Sequence, residues 1–303
     1  METVMAKPRY EEVRCKSLLN RVRGMDFAWS INPYRGCVHS CHYCFARRYH
    51  SFLDLDAGDD FSGIVFVKVN AAEVLRRELA RPSWKREMVA LGTATDPYQP
   101  IEGRYRTTRG ILEALRDYRT PATIVTKGSL IVRDIDVLAS LTERAGCTVC
   151  FSITTLDEDV WRRLEPGTPP PRQRLRAMER LVRAGVNAGV MLAPVAPGIT
   201  DSMTSLEEVA RSAASHGARF LSHTVLRLNP LVKEHFTRFL HEHYPQLLDG
   251  YRRMFPGVSA PQQYAHRLSR TIDGLRQRYN LPKSRLPAPA EAPPPARQLA
   301  MAL

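Results

Sequence analysis

Long apolar runs are absent from this 303-residue sequence, and cysteine is rare. No stretch approaches the roughly 18 consecutive apolar residues that mark a membrane-spanning helix, so we predict no membrane association. The segment from Met1 to Tyr10 lacks the apolar core of a secretory signal. Six cysteines in a chain of this length do not suggest a disulfide framework, and we therefore predict a cytoplasmic protein.

Cysteine is also unevenly distributed along the chain. None lies between Cys44 and Cys147, and none follows Cys150. Cys147 and Cys150 are three residues apart on a predicted strand, where such residues face opposite sides, so we do not expect them to share a metal. The sequence instead concentrates three cysteines, at positions 37, 41 and 44, in one short segment.

This segment reads Asn32-Pro-Tyr-Arg-Gly-Cys37-Val-His-Ser-Cys41-His-Tyr-Cys44. Three thiolates on one loop can bind three irons of a cubane cluster, whereas a closed cluster usually has four cysteine ligands. The fourth iron would then be open to a cofactor or a substrate. Two-cluster ferredoxins use C-x2-C-x2-C, so the extra residue in C-x3-C-x2-C argues against a simple electron carrier. A zinc site or a set of buried thiols is the alternative interpretation.

Positive charge exceeds negative charge by a wide margin. The net charge is +13 and the pI is near 9.8, which is compatible with nucleic-acid binding. An arginine-rich composition produces part of this excess without any function. Arginines are densest between Trp161 and Arg183, where apolar residues at helical spacing predict a helix with its arginines facing outward. These arginines are at positions 162, 163, 172, 174, 176, 180 and 183.

Short apolar runs alternate with amphipathic stretches, a pattern that favours βα units and a parallel sheet. We predict an α/β fold, a partial (β/α)6 TIM-type barrel of about six strands that is open on one side. The predicted strands are 27–31, 87–92, 122–126, 148–154, 188–193 and 220–226, and residues 61–69 form a further short β-rich run.

Four regions follow from this pattern. Residues 1–24 form an N-terminal extension, and residues 25–230 form the barrel. Residues 231–280 form helices that we expect to pack across the barrel or to cap its open side. The Pro/Ala-rich composition of residues 281–303 cannot bury a core, which predicts a disordered tail.

Polar residues follow the ends of several predicted strands. They include Thr93, Asp96, Lys127 and Thr154, and the cysteine loop follows the first barrel strand. In α/β barrels the active site lies at the carboxyl ends of the strands. We therefore expect these residues to converge on one face although they are far apart in sequence.

The cysteine spacing and four further blocks resemble the radical S-adenosylmethionine (SAM) enzymes, and most closely the branch related to spore photoproduct lyase. The resemblance covers roughly residues 25–230, which would be a radical SAM core domain. The blocks are Asn32-Pro-Tyr-Arg-Gly-Cys37, Gly92-Thr-Ala-Thr-Asp-Pro-Tyr-Gln-Pro100, Ile124-Val-Thr-Lys127 and Ala193-Pro-Val-Ala-Pro-Gly198.

The resemblance implies one 4Fe–4S cluster on Cys37, Cys41 and Cys44, with SAM bound at the open iron. The reduced cluster would cleave SAM to a 5′-deoxyadenosyl radical that abstracts hydrogen from a substrate. The electron would come from an external donor of flavodoxin or ferredoxin type. Tyr43, before the third cysteine, would pack against the adenine of SAM; otherwise it covers the cluster from solvent.

The same resemblance also implies cofactor contacts for four residues after the third predicted strand. Gly92, Thr93, Thr95 and Asp96 occupy the place of the Gly-Gly-Glu-like motif that receives the methionine amino group. Alternatively, Asp96 caps the turn at Pro97.

Three residues at or near the ends of two further strands complete the expected cofactor contacts. Lys127 would pair with the cofactor carboxylate or an anionic substrate, unless it simply reaches solvent. Ser152 and Thr154 lie two apart on one strand and so share a face, from which they would hydrogen-bond the ribose. The ordinary β-propensity of threonine is the alternative.

Spore photoproduct lyase also uses a further cysteine, some forty residues after its cluster motif, as a hydrogen donor. No cysteine lies there in this sequence, so Cys150 is the substitute candidate if it faces inward. The resemblance predicts an enzyme with an unidentified substrate, and nucleic acid or a nucleotide is one candidate. An iron–sulfur redox or accessory protein that does not cleave SAM, and a radical SAM enzyme acting on a protein partner, are the alternatives.

Overall fold

The computed structural model describes residues 8–284 and residue 287. Most of the tail that we predict to be disordered lies outside these residues. Within the described part of the chain, no helix is both long enough and apolar enough to cross a membrane.

Strands and helices alternate through most of the chain. The strands are β1 Arg9–Val13, β2 Asn20–Arg21, β3 Trp29–Ile31, β4 Tyr34–Arg35, β5 Ile64–Lys68, β6 Val89–Leu91, β7 Ala122–Thr126, β8 Cys147–Ser152, β9 Asn187–Val195 and β10 Leu221–Val225. The α-helices are α1 Asp59–Gly63, α2 Ala71–Leu79, α3 Glu102–Tyr105, α4 Thr107–Asp117, α5 Ile135–Arg144, α6 Glu158–Leu164, α7 Pro171–Arg183, α8 Met203–Ser215, α9 Pro230–His243, α10 Leu248–Met254 and α11 Gln262–Arg278. Short 3-10 helices are Phe45–Leu53, Ser129–Asp134 and Pro245–Leu247.

In the described residues, seven strands form one sheet in the order β10-β9-β8-β7-β6-β3-β2. Every neighbouring pair from β3 to β10 in this sheet is parallel, and β2 pairs antiparallel with β3 at the edge. The six parallel strands and their connecting helices confirm the predicted partial barrel.

The β-rich run 61–69 contains a strand, but this strand lies outside the barrel. Residues 61–63 end helix α1, and β5 joins β1 and β4 in a separate three-stranded sheet. Only Val65 and Val67 of β5 are buried, so just one face of the strand is covered. A barrel strand such as β6 is instead buried on both faces, because helices cover the outside of the sheet.

The C-terminal helices α9 and α11 pack against different parts of the barrel. Phe236 and Phe239 of α9 belong to an apolar cluster that includes Cys41 and Tyr43 of the cysteine loop. Helix α11 packs on α8 and β10, and Ile272 lies in the main core. Helix α9 therefore covers the site end of the barrel, whereas α11 completes its outer wall.

Candidate active site

The cysteine loop begins after β4 and ends at the 3-10 helix Phe45–Leu53. Gly36 precedes the first cysteine with φ +86, and a Cβ at this position would lie 2.4 Å from the carbonyl oxygen of Ile64. Only glycine fits this position, because the conformation and the close approach both exclude a side chain. Hydrogen bonds from Ser40 N to Cys37 O (3.3 Å) and from Cys44 N to Cys41 O (3.2 Å) then turn the loop twice.

Cys37 and Cys41 are each 6% exposed, and Cys44 is half-buried. Burial raises the pKa of the Cys37 thiol well above its usual value and that of Cys41 to about 12. Metal binding must therefore displace protons from these thiols, as it does at other thiolate sites.

The three thiols could bind either a cluster or a single ion. In a cubane each thiolate binds its own iron, whereas in a structural zinc site all the ligands bind one ion. Among residues 8–284 and 287, no group of three His, Cys, Asp or Glu side chains is arranged to hold a metal ion. The assignment of Cys37, Cys41 and Cys44 to a cluster stays a prediction.

The Asp96 side chain connects the ends of β6 and β7 to the cysteine loop. Its carboxylate lies 3.3 Å from His39 Nδ1, within the cysteine loop. Burial would raise the pKa of Asp96, but the His39 ring and the hydrogen-bond donors hold it well below its usual range. Its oxygens also accept hydrogen bonds from Thr126 Oγ1 (2.6 Å), Lys127 N (2.6 Å) and Tyr98 N (2.8 Å).

The residues before Asp96 also have roles in the fold. Gly92 has φ +84, and a Cβ there would lie 2.2 Å from the Val125 carbonyl oxygen. Thr95 Oγ1 donates to Gly36 O at 2.7 Å and so holds the start of the cysteine loop. Thr93 is only partly buried and accepts a hydrogen bond from Asn32 Nδ2 at 3.2 Å. Contact of these residues with a cofactor amino group stays a prediction.

Lys127 lies at the end of β7 with its Nζ 5.4 Å from the centre of the Tyr43 ring. Burial would lower its pKa, but the negative charge of Cys41 and Glu165 outweighs that effect, so the pKa is raised. No carboxylate in the described part of the chain lies within ion-pairing distance of this ammonium. Lys127 therefore provides a positive charge without an ion-pair partner beside the cysteine loop.

Glu165 joins the cysteine loop to the end of β8. Its carboxylate accepts hydrogen bonds from the Tyr43 hydroxyl and from Thr154 Oγ1, the latter at 3.1 Å. It also pairs with Arg174 Nη2 at 2.6 Å, and both side chains are fully buried. Burial would raise the pKa of Glu165, but Arg174 and Lys127 lower it. Glu165 therefore stays charged and fixes Tyr43 in position.

Arg174 corrects the prediction that the arginines of this segment face outward. Its Nε donates to Pro169 O (2.8 Å) and its Nη1 to Ser152 O (3.0 Å). The arginine is buried because Glu165 needs a counter-charge inside the protein. The spacing could have shown this, since Arg174 lies four and seven residues before the buried Met178 and Leu181 and so shares their face.

The turn that contains Glu165 also supports the back of the cysteine loop. Gly167 N donates to His39 O at 3.1 Å, and His42 N donates to Leu164 O at 3.0 Å. A Cβ on Gly167 would lie 2.1 Å from the carbonyl oxygen of Val38. Backbone contacts between the two segments therefore require glycine here.

Ser152 and Cys150 lie on the face of β8 opposite the outer core, which contains Phe151 and Cys147. Ser152 Oγ donates to Ala193 O at 2.7 Å. Cys150 is buried, and burial raises its pKa to about 12. It lies four residues before Thr154, which is roughly 13 Å along an extended strand. Its role as a hydrogen donor stays a prediction, and a substrate would have to reach this depth.

Comparison with known proteins places the chain in a family. The Radical SAM superfamily model matches residues 31–234. An uncharacterised protein of Mycobacterium tuberculosis is 41% identical over 286 residues, covering 93% of this chain and 84% of that protein. The radical SAM Nalpha-GlyT isomerase of Pseudomonas phage M6 is 27% identical over 170 residues, covering 55% of this chain and 33% of that protein.

A solved structure shares the fold. A spore photoproduct lyase variant with bound AdoMet and dinucleoside spore photoproduct has a TM-score of 0.67 and 18% identity, covering 88% of this chain and 78% of that chain. The family match extends over the barrel and the start of α9, and it includes all three cysteines of the loop. The chain therefore belongs to the Radical SAM superfamily, and it is an enzyme.

Proposed function

We propose that the protein binds a 4Fe–4S cluster through Cys37, Cys41 and Cys44 and SAM at the open iron. When both are bound and an electron arrives from a flavodoxin- or ferredoxin-type donor, they supply a 5′-deoxyadenosyl radical that abstracts hydrogen from the substrate. One observation carries the proposal: the three-cysteine loop, in which Cys37 and Cys41 are buried, contacts Asp96 after β6 through His39 and contacts Glu165 through Tyr43. A reducing compartment suits such a cluster, so we also propose a cytoplasmic location.

The residues around the loop have separable tasks in this proposal. Lys127 offers its unpaired positive charge to the cofactor carboxylate. Glu165 holds the Tyr43 ring where an adenine can pack against it. The Thr154 hydroxyl donates a hydrogen bond to Glu165. The lone pairs of its oxygen can therefore accept hydrogen bonds from the ribose hydroxyls. The apolar cluster that joins Cys41 to α9 excludes water from one side of the loop.

The first experiment tests this chemistry. Anaerobically reconstituted protein should bind about four irons and four sulfides per chain, as a cubane requires. With dithionite as the electron source it should release 5′-deoxyadenosine from SAM. A protein that binds iron but never forms 5′-deoxyadenosine would overturn SAM cleavage and favour a redox or accessory role.

We further propose a nucleic acid as the substrate. The net charge of +13 supports this, and so does one structural neighbour, a spore photoproduct lyase variant that is solved with a dinucleoside spore photoproduct. Arg35 at the end of β4, Arg163 in helix α6 and Arg227 after β10 are all exposed. None of the three has an ion-pair partner among the described residues. On the flank of the barrel, by contrast, Arg172 pairs with Glu208 and Arg183 with Glu179.

Salt dependence tests the nucleic-acid proposal. If four phosphates are neutralised, raising salt from about 50 to 200 mM should weaken duplex binding on the order of a hundredfold. Arg163→Gln with Arg227→Gln should flatten that dependence, whereas Arg172→Gln with Arg183→Gln should not. Undetectable binding at low salt would contradict the nucleic-acid proposal and would favour a small molecule or a protein side chain as the substrate.

A further inference from the structure

Two phenylalanines that follow the cysteine loop are exposed to solvent. Phe45 is 46% exposed and Phe52 is 76% exposed, and both belong to the 3-10 helix Phe45–Leu53. Tyr49 lies between them, with its ring centre 6.3 Å from that of Phe45 and 6.1 Å from that of Phe52. Single exposed apolar side chains are ordinary, whereas a contiguous group of them marks an interaction site. We call these three residues the aromatic row.

The helix that carries the aromatic row is attached to the cysteine loop. On its buried face, Arg47 Nε donates to Cys41 O at 3.0 Å and Arg47 Nη2 donates to Ser40 O at 2.9 Å. The helix begins directly after Cys44, which is half-buried, whereas Cys37 and Cys41 are each 6% exposed. Cys44 is therefore the most exposed of the three proposed cluster ligands, and the row starts at the next residue.

The proposed function requires an electron from outside the protein. Electron transfer between proteins slows steeply as the two redox centres move apart, so a donor protein must approach from the side of the most exposed ligand. In this chain that ligand is Cys44. We propose that the aromatic row is the docking surface of a flavodoxin-type electron carrier, which presents the apolar edge of its flavin within an acidic surface. The inference rests on the proposed function and names the surface where its electron enters.

The size and the charge of this surface support a transient redox partner. Stable interfaces take roughly 20–30 residues from each side and electron-transfer complexes are smaller, while the row comes from one 9-residue helix. Arg48 is exposed, lies 4.9 Å from the centre of the Tyr49 ring and has no ion-pair partner among residues 8–284 and 287. Its charge and the net charge of +13 attract an acidic carrier. The aspartates that follow, at positions 54, 56, 59 and 60, oppose this attraction locally.

The test compares two reductants on the anaerobically reconstituted full chain. Loss of visible absorbance measures reduction of the cluster by reduced flavodoxin, at a series of concentrations, or by dithionite, which needs no docking surface. Phe45→Ser with Phe52→Ser should lower kcat/KM for flavodoxin on the order of tenfold, because aromatic anchors dominate the binding energy of interfaces. Reduction by dithionite should be unchanged. Met25→Ser, which alters a 60% exposed residue before β3, should change neither rate.

Charge variants test whether the partner is acidic. Arg48→Glu should raise the flavodoxin concentration that gives the half-maximal rate, and Asp54→Asn should lower it. Both effects should shrink as salt is added, because salt screens charges at a surface. Changes in the reverse direction, or no change in either variant, would overturn the assignment of an acidic carrier to this row.

The outcomes separate this inference from the proposed function. Equal flavodoxin kinetics in the double variant and the unaltered protein would overturn the inference, and so would a cluster that only dithionite or a ferredoxin reduces. Weakened duplex binding with normal flavodoxin kinetics would also overturn it and would assign the row to nucleic acid. If the double variant loses iron, Phe52→Ser alone decides, since Phe52 lies farther from Cys44 along the chain. Reduction by flavodoxin without any 5′-deoxyadenosine would overturn the proposed function alone, and absence of iron from the unaltered protein would overturn both.

Discussion

Two groups of charges that surround buried carboxylates lie in different parts of this molecule, and they differ in how completely they are paired. Both contain two carboxylates and their basic partners. The site group consists of Asp96, Glu165, Lys127, Arg174 and His39, and the scaffold group consists of Glu102, Asp134, Arg109 and Arg133.

Every charge in the scaffold group has an oppositely charged partner. Arg133 pairs with Glu102 and with Asp134, each at 2.9 Å, and Arg109 pairs with Asp134 at 3.2 Å. The Tyr34 hydroxyl also donates to Glu102. These contacts connect β4, α3, α4 and the 3-10 helix Ser129–Asp134, so the scaffold group holds elements together.

The site group leaves two polar groups unpaired in the described structure, the Lys127 ammonium and His39 Nε2. Its remaining members, Glu165 with Arg174 and Asp96 with His39, are close pairs. Because the charges of the scaffold group are fully paired in the same chain, we expect the incomplete pairing of the site group to leave room for a ligand.

The largest effect should come from removing a cluster ligand. Cys41→Ala should abolish iron binding, because the remaining two thiolates cannot hold a cubane. Cys147→Ala should retain the iron, since Cys147 lies in the outer core. Iron and sulfide analysis after anaerobic reconstitution measures both. Loss of the cluster in both variants would show that the six cysteines have been divided wrongly.

Removing one carboxylate from each charge group should lower the stability of the protein by different amounts. Glu165→Gln leaves Arg174 buried without a counter-charge and should lower the free energy of unfolding by about 3–5 kcal/mol. Glu102→Gln should cost less, about 1–3 kcal/mol, because Arg133 keeps Asp134. Urea denaturation gives both values.

Cofactor binding completes this comparison. SAM affinity should fall for Glu165→Gln, which releases Tyr43, and should stay unchanged for Glu102→Gln. Anaerobic calorimetry with reconstituted protein measures it. Equal losses of SAM affinity in the two variants would mean that the groups do not differ in the way proposed.

A smaller effect should follow from the close approach of two backbones behind the site. Gly167→Ala forces a Cβ against the Val38 carbonyl and should cost about 1–3 kcal/mol of stability and part of the iron content. Gly274→Ala in α11, where a Cβ meets nothing within 4 Å, should stabilise the protein by up to about 1 kcal/mol. Thermal unfolding and iron analysis of both variants measure this contrast. Unchanged iron content and stability in Gly167→Ala would contradict the supporting role of this turn.

The smallest effect on stability should come from Lys127→Gln. No direct ion pair is lost, but the attraction between Lys127 and Glu165 disappears, so the free energy of unfolding should fall by no more than about 1 kcal/mol. SAM affinity should nevertheless fall about tenfold or more, because a charged hydrogen bond to the cofactor carboxylate is lost. If stability falls while SAM affinity is unchanged, Lys127 belongs to the scaffold and not to the site.

The sequence pattern predicted strand positions well where other elements cover both faces of a strand. The strands β6 to β10 begin and end within two residues of their predicted positions. Continuous apolar runs mark strands such as β6 to β8, which are buried between helices and the barrel interior. The same argument failed for β5, which pairs with β1 and β4 instead. A short β-rich run does not show which sheet it joins, since that depends on contacts with residues far away in sequence.

The sequence by itself determined the cysteine spacing, the order of strands and helices and the family that these identify. Only the tertiary structure decided that Arg174 faces inward to Glu165 and that His39 is oriented by Asp96. Composition and spacing describe the neighbours of a residue along the chain. The charge state and partners of a buried side chain depend instead on groups that folding brings together, and a buried ion is stable only where such a partner exists.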